Sequence, residues 1–311
     1  MSLERMYLAR FLTASKNHHA DDLLEIGREG RILALESFWT KNDLVKILKD
    51  YPEIKIFLDS GAYTLESQEV EDTQKYLDDY IDFILEYEDR LLVYANLDNI
   101  RNVENSWQNQ KYMEERGTKP MPVYHYEEDF KWLEKCVNEY EYVGVGGIAK
   151  GASIESDRVL FDRIFDYIYK RNLSVKIHAF GMAKVRFLVR YPWYSVDSTT
   201  WLQHANYGRI MIPSYNAMKQ KFEYSYTPFV ISVSNISLVK TGTSHSHYTL
   251  VFPPRIVERI EEYFAMIGID SEKLKTEQSE RLRANAYYYE EFLKNKSICQ
   301  STEYKGNKLF F

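Results

Sequence analysis

Residues 54–64 read IKIFLDSGAYT. Ile54, Ile56, Phe57 and Leu58 make a short apolar run that ends on Asp59, with Ser60, Gly61, Ala62 and Tyr63 directly after it. A run of this length bounded by turn residues reads as a buried strand, and it delivers a carboxylate at its tip. Similar runs recur at 6–12, 31–36, 91–98, 120–125, 142–147, 174–181 and 194–198. Helical patterns separate most of them. Leu44, Ile47 and Leu48 form a stripe behind Thr40, and Tyr76, Leu77, Tyr80, Ile81, Ile84 and Leu85 recur at three- and four-residue spacing. Ser153 precedes a helix with Glu155 and Asp157 in its first turn and Lys170 and Arg171 at its end, as the helix dipole favours.

Strand–helix alternation implies a parallel sheet with helices outside. Eight strands in the first two thirds of the chain predict a (β/α)8 TIM barrel over residues 1–207; a doubly wound open sheet is the runner-up. No GxGxxG follows the first strand, so a dinucleotide fold has little support. Residues 208–311 break the alternation, with β-prone pieces followed by helical patterns at 255–267 and 272–296. They are expected to be a mixed, helical extension packed on the barrel in a single compact unit.

Composition narrows the classes. The 311 residues are 45% hydrophobic and 28% charged, the balance of a globular protein. There is no run of about eighteen apolar residues, and Glu4 and Arg5 interrupt the start, so neither a membrane span nor secretion is expected. Cys136 and Cys299 are too few for a disulfide framework or a four-thiolate zinc site. A cytoplasmic protein without metal or other cofactor is therefore the expectation. The net charge of −6 gives no global basic footprint for nucleic acid, although Lys176, Lys184, Arg186 and Arg190 lie close together. Twenty-six tyrosines suit both packing and base stacking.

Active sites of (β/α)8 barrels lie at the C-terminal ends of the strands. Those ends supply Glu36 and Ser37, Asp59 and Ser60, Asp98 and Asn99, His125, Gly146 and Gly147, His178 with Phe180 and Gly181, and Asp197 with Ser198. One such aspartate is commonly a turn or helix cap; for three at three strand ends the capping reading weakens until a functional one stands level with it. Two carboxylates about one anomeric carbon are what glycosidic-bond chemistry by double displacement requires. Glycines at 146 and 147 let a planar ligand approach the backbone, and Tyr63 and Phe180 offer faces for a flat ring. A lone histidine at a strand end is more often a hydrogen-bonded structural residue than a catalyst; His178 is read so, while for His125 the two readings stand even.

Four stretches now carry a resemblance. LDSGAY, ANLDNI, VGVGGIAKG and IHAFGM followed by SVDSTTW are similar, in order and spacing over residues 54–201, to motifs of the tRNA-guanine transglycosylase family. They resemble most the phage and bacterial relatives acting on 7-deazaguanine in DNA. The resemblance implies that Asp197 is the nucleophile at C1′ and that Asp59 is the acid/base. It implies that Asp98 binds the donor edge of a guanine-like base, that Ser60, Gly147 and Ile148 line the base slot, and that Tyr63 and Phe180 stack on it. His125 stands where the family uses a glutamine for base recognition. The three-cysteine, one-histidine zinc site of members acting on tRNA cannot be built from this sequence, so DNA is expected over tRNA. The partners implied are DNA or RNA, a free 7-deazaguanine base as second substrate, and a homodimer. Lys184, Arg186 and Arg190 are the candidate phosphate contacts. With water as acceptor the same residues would make a DNA glycosylase. Non-catalytic accessory subunits also exist in the family, against which the retention of both Asp59 and Asp197 argues. A carbohydrate hydrolase on the same barrel fits the glycine-rich stretch less well.

Overall fold

Ile56–Asp59 forms the third strand, β3, of an eight-stranded parallel sheet. The computed structural model describes residues 3–20, 22–23, 32–68, 72–99, 101–147, 154–224, 226–235 and 247–295. The other strands are β1 (Arg5–Ala9), β2 (Ile32–Ser37), β4 (Leu91–Tyr94), β5 (Val123–His125), β6 (Tyr142–Gly146), β7 (Lys176–Ala179) and β8 (Ser195–Ser198). Their order is β4-β3-β2-β1-β8-β7-β6-β5, with every neighbouring pair parallel. The chain just past β4 then meets the chain just before β5. Asn96 N–H donates to Met121 O at 2.9 Å and Met121 N–H to Tyr94 O at 2.9 Å. That bridge joins the two ends of the order and leaves the sheet without a free edge, the feature that defines a barrel. The fold is (β/α)8 TIM-like with a helical C-terminal extension, as the alternation predicted.

Helices follow the strands: α1 (Phe11–Asn17), α2 (Lys41–Asp50), α3 (Ala62–Ser67), α4 (Thr73–Glu86), α5 (Val103–Glu115), α6 (Phe130–Glu139), α7 (Ile154–Lys170), α8 (Val185–Arg190) and α9 (Thr200–Asn206). The stripe Leu44, Ile47 and Leu48 is buried as its spacing required. Asp72, Asn102 and Asp129 cap α4, α5 and α6 by accepting the N–H groups of Lys75, Asn105 and Lys131. At residue 40 the cap differs from expectation: the Thr40 hydroxyl donates back to Ser37 O instead. Ser153, the other expected cap, lies outside the described residues.

The extension pairs β9 (Arg209–Ile212) with β12 (Phe229–Ser232) antiparallel and holds a hairpin of β10 (Ser214–Asn216) and β11 (Lys221–Glu223). Then come α10 (Tyr248–Val251), α11 (Pro254–Met266), α12 (Ser271–Thr276) and α13 (Gln278–Lys294). The last helix packs on α9, β9, β1 and β2, so the extension completes the outer layer beside the first two strands. Asn285 fixes it there. It is fully buried; its Oδ1 accepts Met211 N–H at 2.9 Å and its Nδ2 donates to Trp201 O at 2.9 Å. Met6, Leu8, Tyr288, Tyr289 and Phe292 belong to one continuous apolar cluster, so barrel and extension share a core. A second, smaller cluster fills the barrel itself with Tyr7, Ala9, Leu35, Phe57, Ala95, Met121 and Val123.

Candidate active site

Side chains alternate across a strand, and the inner cluster shows which parity faces the barrel axis. Phe57 and Tyr7 point inward. Two residues beyond Phe57 stands Asp59, and β8 pairs Tyr7 with Asp197, so both acids face the mouth. His178 and Phe180 enter from β7 and the residue after it. Tyr7, Phe57, His178 and Phe180 form an aromatic floor: Phe57 lies 5.2 Å from Tyr7, 4.8 Å from His178 and 5.7 Å from Phe180, centroid to centroid.

Asp59 sits above that floor. Its Oδ2 accepts Gly61 N–H at 3.0 Å, yet its pKa is pushed up to about 7, chiefly by burial, then by the charge of Asp98, with Asp197 adding to it. The other two aspartates therefore lie close enough for their charges to act on Asp59. Gly61 adopts φ +80, a left-handed turn conformation suited to glycine. Asp197 is 6% exposed. Its Oδ1 accepts Gly181 N–H at 2.8 Å and lies 3.3 Å from His178 Nε2.

Asp98 arrives differently from the expectation that it ends a strand. β4 stops at Tyr94, and Asp98 follows the Ala95–Met121 closure. Its Oδ2 is 2.5 Å from His125 Nε2, so the acid and the histidine form one unit. His125 N–H donates to Glu128 Oε2 at 3.1 Å, and burial raises Glu128 to about 7. Glu128 was missed by sequence reasoning; its only signal was an acid three residues past a strand end. A cleft of about 390 Å³ opens beside Asp98, lined also by Ala62, Leu65, Leu97, Asn105 and Asn109.

The glycines of β6 have a different use from ligand approach. A Cβ on Gly144 would stand 2.7 Å from Phe180 Cε2, and one on Gly146 would stand 2.9 Å from His125 Cε1. Both positions are empty so that two rings can lie against the strand. Gly147 takes φ +80 beside Tyr126. Ile148 lies outside the described residues.

Several expected roles change. Ser60 does not line an open slot: it is fully buried, and its hydroxyl has no hydrogen-bond partner among the described residues. Tyr63 is 67% exposed on α3 and lines a wider outer cleft with Arg101, Glu104 and Glu128, while Phe180 is packed into the floor. Glu36 has the wrong parity for the mouth. It turns outward, accepting Leu12 N–H at 2.7 Å and the Thr13 hydroxyl at 3.0 Å at the start of α1, with burial raising it to about 7. Of the basic residues, Lys184 pairs with Asp157 at 2.5 Å and Arg190 with Asp162 at 3.3 Å, both acids on α7. Arg186 is exposed on α8. Much of that patch's charge is thus met within the chain. Among the described residues no group of three or more His, Cys, Asp or Glu side chains is placed to hold a metal ion, and no helix is long and apolar enough to cross a membrane.

No family model and no curated protein matches the chain. A solved structure described as "Structural study of Project ID from Aquifex aeolicus VF5" is similar at 10% identity over 64% of this chain and 84% of its own, with a TM-score of 0.44. A likeness that distant carries no argument, and the site rests on its own geometry.

Proposed function

We propose that the protein is a nucleic-acid base transglycosylase that cleaves an N-glycosidic bond through a covalent Asp197–sugar intermediate and installs a 7-deazaguanine, with DNA as the preferred substrate. The observation that carries the reading is the division of labour between two acids. Asp59 is poised near neutrality by its surroundings, the condition for moving protons in both directions. Asp197 is held by donors on Oδ1, the condition for attack with its other oxygen.

In the first step an Asp197 oxygen lone pair forms a bond to C1′. The C1′–N bond breaks with its electron pair on the departing base, and that base takes the proton of Asp59. Positive charge builds at C1′ as the bond breaks, and the adjacent carboxylate stabilises it. In the second step the incoming base gives its proton to Asp59 as its nitrogen attacks C1′, and the ester bond breaks with its pair on Asp197. Asp98, oriented by His125, reads the edge of the base. A base inside a duplex must be flipped out first, so single-stranded or mismatched DNA should react better. The reading carries a cytoplasmic location with it.

The test is incubation with single-stranded and duplex DNA and with RNA, each with and without free 7-deazaguanine bases, followed by mass spectrometry for released base, incorporated base and a protein–nucleic acid adduct. Asp197→Asn should abolish all three. Release without incorporation would assign hydrolysis in place of exchange. Activity surviving in Asp197→Asn would remove the nucleophile, and the absence of adduct and release on every substrate would remove the enzyme.

A further inference from the structure

Below the mouth, a line of polar groups runs down the inside of the barrel to its other end. His178 Nε2 is 3.3 Å from Asp197 Oδ1, and His178 Nδ1 is 2.7 Å from Ser195 Oγ. Ser195 Oγ is in turn 2.5 Å from Tyr142 OH. His178 and Ser195 are fully buried. Three inward positions supply the line: Tyr142 at the start of β6, Ser195 at the start of β8 and His178 within β7. Donor and acceptor chemistry then leaves one consistent direction. An aspartate carboxylate only accepts, so His178 Nε2 must carry the proton. Burial lowers the pKa of His178, which favours the neutral ring, and a neutral ring leaves Nδ1 as an acceptor. The Ser195 hydroxyl must therefore donate to Nδ1, and its oxygen is then open to receive the Tyr142 hydroxyl.

We infer that His178 is a positioning residue for the nucleophile, its Nε2–H tautomer set from below by Ser195 and Tyr142. Together with Gly181 N–H it occupies Oδ1 of Asp197 and leaves Oδ2 as the oxygen that attacks. Both donors stay on Oδ1 throughout the reaction. When Oδ2 bonds to C1′, Oδ1 becomes the carbonyl oxygen of the ester. When the second base displaces it, Oδ1 shares the returning charge, and the two N–H groups stabilise the departing carboxylate. His178 itself neither gains nor loses a proton. The catalytic consequence rests on the proposed role of Asp197; the hydrogen-bond line does not.

Two measurements on the full-length protein separate these. First, two-bond ¹H–¹⁵N correlation of ¹⁵N-histidine-labelled protein reads the tautomer of each of the seven histidines, with His178 assigned by its loss in His178→Gln. The expected result is a neutral ring protonated at Nε2. Its Nδ1 resonance should move in Ser195→Ala, and move less in Tyr142→Phe. A ring protonated at Nδ1, or an Nδ1 signal indifferent to Ser195→Ala, overturns the proposal. Second, single-turnover adduct formation is compared between His178→Gln, whose amide can still donate to Asp197, and His178→Leu, which cannot. Leucine should slow the step by about 100-fold with little change in KM, as expected for removal of one preorganised donor, and glutamine should recover most of that loss. Equal rates in both variants overturn the proposal. If wild-type protein forms no adduct on any substrate, the proposed function fails, and the tautomer measurement still decides whether His178 is held as inferred.

Discussion

Replacing Gly146 with alanine tests whether the glycine-rich strand exists to seat His125. The added Cβ would stand 2.9 Å from His125 Cε1 and 3.1 Å from Nδ1, where ordinary contact begins near 3.4 Å. The ring must therefore retreat by about half an ångström, near the repulsive wall of a carbon–carbon contact. It cannot do so freely, because Nε2 is held 2.5 Å from Asp98 and the His125 N–H is tied to Glu128. Overpacking of this kind costs about 1–3 kcal/mol. Urea denaturation of wild type, Gly146→Ala, His125→Ala and the double variant forms a closed cycle. Removing the ring should relieve the methyl, giving a favourable coupling of about 1–2 kcal/mol. Gly147→Ala is the control. Its cost comes from backbone at φ +80, and its Cβ stands 3.7 Å from His125 Nδ1, so its effect should add to that of His125→Ala. A Gly146→Ala effect that is additive with His125→Ala would show that the ring does not lie against that strand.

The raised pKa of Asp59 sets a sign for stability against pH. A carboxyl with a folded pKa near 7 and an unfolded value near 4 makes the native state bind more protons between those limits. Stability therefore falls as pH rises from 4 to 7, by an amount on the order of a few kcal/mol. Asp59→Asn should make that part of a denaturation-versus-pH series shallower, the remaining slope coming from Glu36 and Glu128, and be more stable than wild type above pH 7; an unchanged slope would refute the raised value. Asn285→Ala removes the partner of Met211 N–H and a donor to Trp201 O inside the core, and an unpaired buried N–H costs about 1–3 kcal/mol. Urea denaturation should show a loss of at least 2 kcal/mol, and a loss under about 0.5 kcal/mol would mean that the extension is held by apolar packing alone.

The barrel was legible because the strands have short apolar runs and several of the helices between them a stripe, although Val103–Glu115 buries Ser106 and Gln110 instead. The parity of each strand was not. A parallel strand covered on both faces is apolar on both, so nothing in ILALES says that Ser37 sits beside Asp59 while Glu36 turns toward α1. Asp59 and Asp197 were found because acids at strand ends interrupt apolar runs. Asp98 was found too, although it belongs to the loop beyond the closure. The seating of Phe180 and His125 on Gly144 and Gly146 was hidden, because a glycine records no partner in its own sequence. Glu128 and the Tyr142–Ser195–His178 line were hidden for a related reason. Each joins residues of different strands, and their meeting depends on register rather than on spacing along the chain.

Two of the three acids accept an N–H from a glycine just past a strand end, Asp59 from its own strand's loop and Asp197 from the loop beyond the neighbouring strand β7. Asp59 accepts the N–H of Gly61, and Asp197 that of Gly181, and both glycines take positive φ at the start of a loop. A glycine at such a φ, where an L side chain would be strained, aims its backbone donor at an acid of its own strand in one case and of the adjacent strand in the other. The difference between the acids comes from what lies around that common element. Asp197 adds the histidine below it, itself fixed by a serine and a tyrosine. Asp59 adds buried surroundings and the charges of two other carboxylates, which push its proton on. On the proposed function, a nucleophile and a proton carrier for one sugar are then two strand-end aspartates, differentiated by the interior of the barrel and not by residue type.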